Sequence, residues 1–147
     1  MKIWFKKNIK DLQKSNYRNG IRYHKVTKKN FIQYSLTINQ CIELFKSQCN
    51  WDEMWNYTDA KKRLNDNHIL YIMTENEMVL GYVWYNNGYL YNTFVSKTRT
   101  NGDSQNFINY TLNELKTEYE KITLYCDDWN IKAQKFFKGI GFINLTK

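Results

Sequence analysis

The stretch that decides the fold runs from Tyr89 to Ser104, Tyr-Leu-Tyr-Asn-Thr-Phe-Val-Ser-Lys-Thr-Arg-Thr-Asn-Gly-Asp-Ser. Its first half is rich in aromatic and β-branched residues, which predicts a strand. Simple alternation puts Tyr89, Tyr91, Thr93 and Val95 on one face and Leu90, Asn92 and Phe94 on the other. The composition then turns polar around Gly102. Beyond it Phe107, Ile108, Leu112, Leu115 and Tyr119 recur at the spacing of an amphipathic helix. Strand, glycine turn and helix start together make a place for an anion. The first N–H groups of a helix have no internal partner, and its dipole favours negative charge there. The turn has neither the Gly-Lys-Ser/Thr of a P-loop nor a Gly-x-Gly-x-x-Gly. It carries Arg99-x-x-Gly102-x-Ser104 instead.

Downstream, Lys121 to Cys126 reads as a strand reached by a helical crossover, so it should lie parallel to the Tyr89 strand. Asp127, Asp128 and Asn130 are capping types ahead of a helix from Ile131 to Lys138. Gly139 ends that helix, and Ile140 to Leu145 reads as a last strand. Upstream, His68 to Thr74 and Met78 to Asn86 form a hairpin around Glu75-Asn76-Glu77, and Asn86-Asn87-Gly88 supplies the next tight turn. Thr58 to Leu64 reads as a short helix. Phe31 to Lys46 is helical in its later part, where Ile38, Cys41, Ile42 and Phe45 share a face, while its first half is either helical or extended. Ile21 to Thr27 alternates as a strand. Residues 1–19 read equally as a short helix lined by Trp4, Phe5, Ile9 and Leu12, or as an edge strand over Lys2 to Lys6. The chain is one domain, 1–147, with 1–19 as an extension of undecided structure.

The second block that carries chemistry is Asn130-x-x-Ala133-x-x-Phe136-Phe137-x-x-x-Gly141-Phe142. Together with Arg99-x-x-Gly102-x-Ser104, in this order and separated by one helix and one strand, it resembles the two recurring motifs of the GNAT acetyltransferase superfamily. The first motif is commonly written Gln/Arg-x-x-Gly-x-Gly/Ala, and the second Asn-x-x-Ala, then Phe/Leu-Tyr, then Gly-Phe. The likeness runs from about Ile69 to Phe142. It implies an α+β fold: a mixed, mostly antiparallel central sheet with a splayed parallel strand pair, flanked by about four helices.

The resemblance implies acetyl-CoA as cofactor and transfer of its acetyl group by direct attack of an amine. The backbone of Thr93, Phe94 and Val95 would pair with the pantetheine arm. The amides of Arg99, Thr100, Asn101, Gly102, Asp103 and Ser104 would cradle the pyrophosphate, and Asn130, Ala133, Phe136 and Phe137 would lie along the arm. Two positions depart from the family pattern. Phe137 stands where the usual proton-donating tyrosine would be, and Asp103 puts a carboxylate beside the phosphates, where the family has an apolar residue. The positions on which family members carry a base are Tyr89 and Tyr91, phenols that ordinarily titrate near pH ~10. Glu75, Glu77, Asp127 and Asp128 are fallback carboxylates, each explained more simply by capping or turn solvation.

Trp51, Trp55 and Tyr57 would border the acceptor, holding an amine on their aromatic faces with Asp52 and Glu53 pairing its charge. Trp51 and Trp55 equally read as anchors of the short helix on the sheet. The alternative to an enzyme is a GNAT-fold domain without catalysis that binds a ligand or partner protein.

The formal net charge is +8, which admits a nucleic-acid-binding module. The lysines are scattered, however, as at Lys6-Lys7, Lys28-Lys29 and Lys61-Lys62, which reads as a solvated surface. Nucleic acid is therefore not the expected partner; a small-molecule or peptide amine is. Cys41, Cys49 and Cys126 lack paired spacing and read as reduced thiols, and His24 and His68 lie apart with no cysteine nearby, so no metal site is expected. No apolar run is long enough to span a membrane, and a cytoplasmic protein is the expectation. Aromatics such as Trp84 or the Trp4–Phe5 pair, if exposed, offer a face for a homodimer.

Overall fold

The structure, a computed structural model, describes residues 1–14, 17–48 and 55–146. The elements in chain order are β1 (Lys2–Asn8), β2 (Ile21–Val26), a 3-10 turn (Phe31–Tyr34), α1 (Ser35–Gln48), α2 (Tyr57–Asn65), β3 (Ile69–Glu75), β4 (Met78–Asn86), β5 (Tyr89–Val95), α3 (Asp103–Leu115), β6 (Lys121–Asp127), α4 (Ile131–Gly139) and β7 (Ile143–Asn144). The seven strands form one sheet in the order β2-β3-β4-β5-β6-β1-β7. Every neighbouring pair is antiparallel except β5 and β6. This is the mixed, mostly antiparallel α+β sheet with four helices that the sequence implies.

Turn chemistry sets the middle of the sheet. Asn76 (φ 49) and Glu77 (φ 71) join β3 to β4, and Asn87 (φ 47) and Gly88 (φ 83) join β4 to β5. Two-residue turns with both φ positive match the twist of the flanking strands, which is why asparagine or glycine takes three of the four positions and only Glu77 departs. Alternation then divides the core. Tyr71, Met73, Val83 and Leu90 pack under α3 and α4, while Leu70, Ile72, Tyr82 and Trp84 pack under α1 and α2.

Four expectations need correction. Residues 2–8 form neither a helix nor an edge strand: β1 pairs along its whole length with β6 and on its other side with β7. Ile3, Phe5 and Ile9 enter the α3/α4 core, and that period-two burial outweighs the helical reading. The first half of 31–46 is not extended, because Phe31 is buried by a 3-10 turn that runs straight into α1. The last strand shrinks to Ile143–Asn144. Finally, Trp84 and Phe5 are both fully buried, so neither offers a dimer face.

The most consequential departure lies in β5. Tyr82 opposes Phe94 but Trp84 opposes Tyr91, so Asn92 and Thr93 together face Val83. Asn92 takes up the extra residue at φ 47, a conformation asparagine tolerates better than most side chains. The bulge reverses the parity of the strand. Tyr91 and Phe94 pack on the α1/α2 side, and Leu90 and Val95 on the other. The unbroken alternation read from sequence therefore fails after Tyr91.

Candidate active site between two parting strands

β5 and β6 are paired only at Tyr89–Thr123 and Leu90–Leu124. The bulge follows at once and the strands part. A cavity of about 170 Å³ opens in the gap, with Leu90 and Leu124 among the residues lining it, Tyr91 and Thr93 on one wall, and Tyr125 and Cys126 on the other. Asn130, Ala133 and Phe137 of α4 close its side. The backbone of β5 presents an unpaired edge here. Ser96 N–H donates to Leu80 O at 2.7 Å, and the Phe94 carbonyl faces Gly81, where a Cβ would sit 2.8 Å from it. By alternation the N–H and C=O of Val95 point away from β4, into the gap.

Beyond β5 the chain forms a tightly braced loop. Gln48, at the end of α1, donates to Ser96 Oγ (2.9 Å) and accepts from Lys97 N–H (2.8 Å). Thr98 N–H donates to Ser96 Oγ at 3.2 Å, and Arg99 N–H to Ser96 O at 3.2 Å. The Arg99 guanidinium folds back on Ser96 O at 3.1 Å. Thr100 N–H donates to Asp103 Oδ2 at 3.0 Å and Asp103 N–H to Thr100 O at 3.1 Å. Gly102 caps α3 in the left-handed region (φ 94). The amides of Asn101, Gly102, Ser104 and Gln105 find no partner among the described residues. Four N–H groups at a helix N-terminus are a fit for an anionic group such as a pyrophosphate.

Asp103 does not face that cradle. Its carboxylate is buried and takes two bonds from Arg18, Nε to Oδ1 at 3.0 Å and Nη2 to Oδ2 at 2.9 Å. Arg18 also bonds Glu75, holding that carboxyl below the usual range. The carboxylate that looked repulsive to phosphate is turned inward and neutralised by a residue at the far end of the chain. Asn130 caps α4, its Oδ1 accepting from Ala133 N–H at 3.2 Å, while its Nδ2 has no partner among the described residues. Phe137 is buried against Phe5 (5.9 Å), Phe136 (5.5 Å) and Phe142 (5.8 Å). Phe136 packs on the core behind it and does not line the cavity.

Of the two candidate tyrosines, Tyr91 lines the cavity and Tyr89 stands behind it, stacked on Tyr91 at 5.7 Å and on Tyr125 at 5.8 Å. Burial pushes the Tyr91 hydroxyl up to about 12, and burial with the Tyr125 partner raises Tyr89 as well. Tyr91 Oη is hydrogen-bonded to His68 Nδ1. Burial and the Arg63 charge hold the His68 imidazole below its ordinary value. Trp55 lines the cavity and is also anchored to the sheet: its Nε1 donates to Tyr82 Oη at 3.0 Å and its ring meets Trp84 edge-on at 5.4 Å. The cation near these rings is the chain's own Arg63, 5.1 Å from Trp84, 5.4 Å from Tyr91 and 6.0 Å from Trp55. Tyr57 shares a hydrogen bond with Ser35 at 2.8 Å. Trp51, Asp52, Glu53 and Cys49 lie outside the described residues.

Sequence reasoning missed Arg18, Gln48, Arg63, His68 and Tyr125. All but Tyr125, which stands five residues before Asn130, act on the site across a long separation, so no local spacing marks them. His68 alone carried a hint, standing immediately before a strand whose hairpin register could have been counted.

The comparisons agree with this geometry. A family model described as an acetyltransferase (GNAT) domain matches residues 35–147. The chain belongs to the GNAT acetyltransferase family. Among solved structures, a functionally unknown conserved protein from Staphylococcus epidermidis superposes with a TM-score of 0.69 at 12% identity, over 97% of this chain. This chain spans 57% of that protein. An aminoglycoside acetyltransferase from an uncultured soil metagenomic sample, solved with trehalose, gives 0.66 at 17% identity, over 86% of this chain and 90% of that one. AAC(6')-Iy, solved with the bisubstrate analogue CoA-S-monomethyl-acetylneamine, gives 0.62 at 17% identity, over 86% and 93%. No curated protein matches the sequence at a significant level. Among the described residues no helix is long and apolar enough to cross a membrane.

Proposed function

We propose that the protein is an acetyl-CoA-dependent N-acetyltransferase that acts by direct attack of an amine. The observation that supports this best is the conjunction of parted strands and free amides. The cavity lies between β5 and β6; further along the chain come the strand edge at Val95 and, at the start of α3, four N–H groups without a partner among the described residues. A pantetheine arm would add to β5 as a strand does, through the Val95 backbone. Asn101, Gly102, Ser104 and Gln105 would hold the pyrophosphate, with Gly102 leaving its surface open, since a Cβ there would meet nothing within 4 Å. Asn130 Nδ2 would donate to the arm, and Ala133 and Phe137 would pack along it.

Bound acetyl-CoA supplies the thioester whose carbonyl carbon the amine attacks, leaving the coenzyme as its thiolate. Phe137 has no proton to give, so the sulfur takes its proton from solvent. Thiols are acidic enough, with pKa about 8.5, for that omission to slow turnover without abolishing it. The acceptor would approach over the aromatic row of Trp4, Tyr125 and Tyr89, whose centroids are 5.2 and 5.8 Å apart. Two cations flank the row, Lys2 at 4.2 Å from the Tyr125 ring and Arg63 over Tyr91. An acceptor carrying a single amine on a planar or sugar body fits this better than a polycation such as an aminoglycoside.

Calorimetric titration with acetyl-CoA and coenzyme A, followed by release of free thiol with an amine panel, tests the reading. The expected result is micromolar binding and turnover. Absence of binding at high micromolar coenzyme removes the enzymatic claim. A second reading, a GNAT-fold binding module without catalysis, draws on the hydroxyl missing at Phe137; it requires coenzyme binding, or none, without turnover on any amine.

A further inference from the structure

We propose that His68 works with Tyr91 as a proton relay, drawing the acceptor's surplus proton out of the cavity to a second hollow that His68 lines. The proposal rests on the acetyltransferase reading above and adds the route by which the amine is deprotonated. It starts from a juxtaposition of two hollows. Tyr91 lines the cavity between the parted strands. His68 lines a separate open hollow of about 550 Å³, together with Lys25, Thr27 and Asn67. The Tyr91 Oη–His68 Nδ1 hydrogen bond is the link between them.

The pair is held rigidly. His68 N–H donates to Arg63 O at 3.0 Å, fixing the residue at the end of α2. The His68 and Tyr91 rings meet edge-on at 5.6 Å and 89°. Arg63 lies over the Tyr91 ring and donates to Asn92 Oδ1 at 3.1 Å, so the bulge and the phenol are clamped by one guanidinium. The charged and titratable groups that face His68 are Arg63 from α2, Asp66 just after it, Tyr91 from β5, and Lys25, Lys28 and Lys29 across the hollow. Partial burial first, and the Arg63 charge after it, hold the imidazole below its ordinary value, so it is neutral at pH 7. Its Nδ1 lone pair is then available to the phenol, and its Nε2 has no partner among the described residues.

Tyr91 alone is a reluctant base, but a phenol that gives up its proton as it accepts another need never become an anion. The balance is as follows. The amine nitrogen bonds to the acetyl carbon, and the electrons of the C–S bond leave on sulfur. The extra proton on nitrogen passes to Tyr91 Oη while the Tyr91 proton passes to His68 Nδ1. The imidazolium loses a proton to water in the hollow, and the sulfur gains one from solvent. His68 touches neither substrate nor cofactor; it is a positioning and proton-accepting residue acting through Tyr91.

The test is the pH profile of acetyl transfer by the full chain, wild type beside His68→Gln, Tyr91→Phe and the double variant. An acceptor imidazole must be neutral, so wild-type activity should fall as pH drops through an apparent pKa below the ordinary His value of about 6.5. His68→Gln should lower kcat about a hundredfold, leave KM for acetyl-CoA within about twofold, and abolish that acid limb. Tyr91→Phe should do the same, the double variant should be no worse than either, and added imidazole should partly restore His68→Ala. A His68→Gln enzyme with wild-type kcat and acid limb overturns the relay while leaving the acetyltransferase reading intact. So does a His68→Ala enzyme that binds acetyl-CoA normally but gains nothing from imidazole. If the wild-type chain neither binds acetyl-CoA nor transfers acetyl, the reading itself fails and the relay falls with it.

Discussion

Phe137 occupies the position at which the family likeness calls for a proton donor, and its surroundings explain how an apolar ring is accommodated. It is buried in a cluster with Phe5, Phe136 and Phe142, yet one side reaches the cavity. Phe137→Tyr should therefore place a hydroxyl there with little change in thermal midpoint. Because a thiolate leaves without much help, the gain in kcat should stay below about tenfold, read by free-thiol release. Arg18 makes a second prediction at this scale. Its bond holds the Glu75 carboxyl below the usual range. A depressed folded value adds stability that is full above the unfolded pKa of about 4.3 and lost as pH falls through the folded value. Arg18→Gln should thus lower stability at pH 7, with the gap to wild type narrowing below about pH 4 in denaturant titrations. It should also weaken coenzyme binding, since the buried Asp103 that ties down the loop loses its partner. From sequence, Asp103 was legible as a hazard to phosphate; that Arg18 would turn it inward was not, because nothing local joins positions 18 and 103.

At the scale of elements, the bulge in β5 does what the motif alone does not reveal. It ends the pairing with β6 after two register positions and rotates Val95 to the gap. The neighbouring strand is cut to fit. At Gly81 a Cβ would meet the Phe94 carbonyl at 2.8 Å and Val95 Cγ2 at 3.2 Å. Gly81→Ala should push β5 away from β4 and destabilise the fold by about 1–3 kcal/mol, measured by equilibrium unfolding, with coenzyme affinity falling in parallel. Hairpins, the α3 stripe and the α4 cap were readable because turn residues, period and capping are local signals. The bulge had only Asn92 to announce it, and β1 could be placed in the sheet only once β6 and its core face were known.

The whole molecule carries a formal charge of +8, most of its positive groups being lysines scattered along the chain. Such a surface raises the encounter rate of a polyanion and is screened by salt. Raising ionic strength from about 0.05 to about 0.5 M should lower kcat/KM for acetyl-CoA several-fold while leaving kcat unchanged. A much steeper loss, accompanied by tight binding of RNA or DNA at low salt, would instead mark a nucleic-acid surface. The fold class and the two motifs were legible at this scale because their order along the chain mirrors the order of the central strands. One strand breaks that correspondence. β1 sits between β6 and β7, with Phe5 opposite Leu124, so its partner is made more than a hundred residues after it. Within this chain β1, whose Ile3 and Phe5 need cover, is made long before β6 and must wait unpaired until that strand has emerged. Closure of the sheet is thus a late event with a large loop to form, and chaperone dependence in the cell should concentrate on residues 2–8.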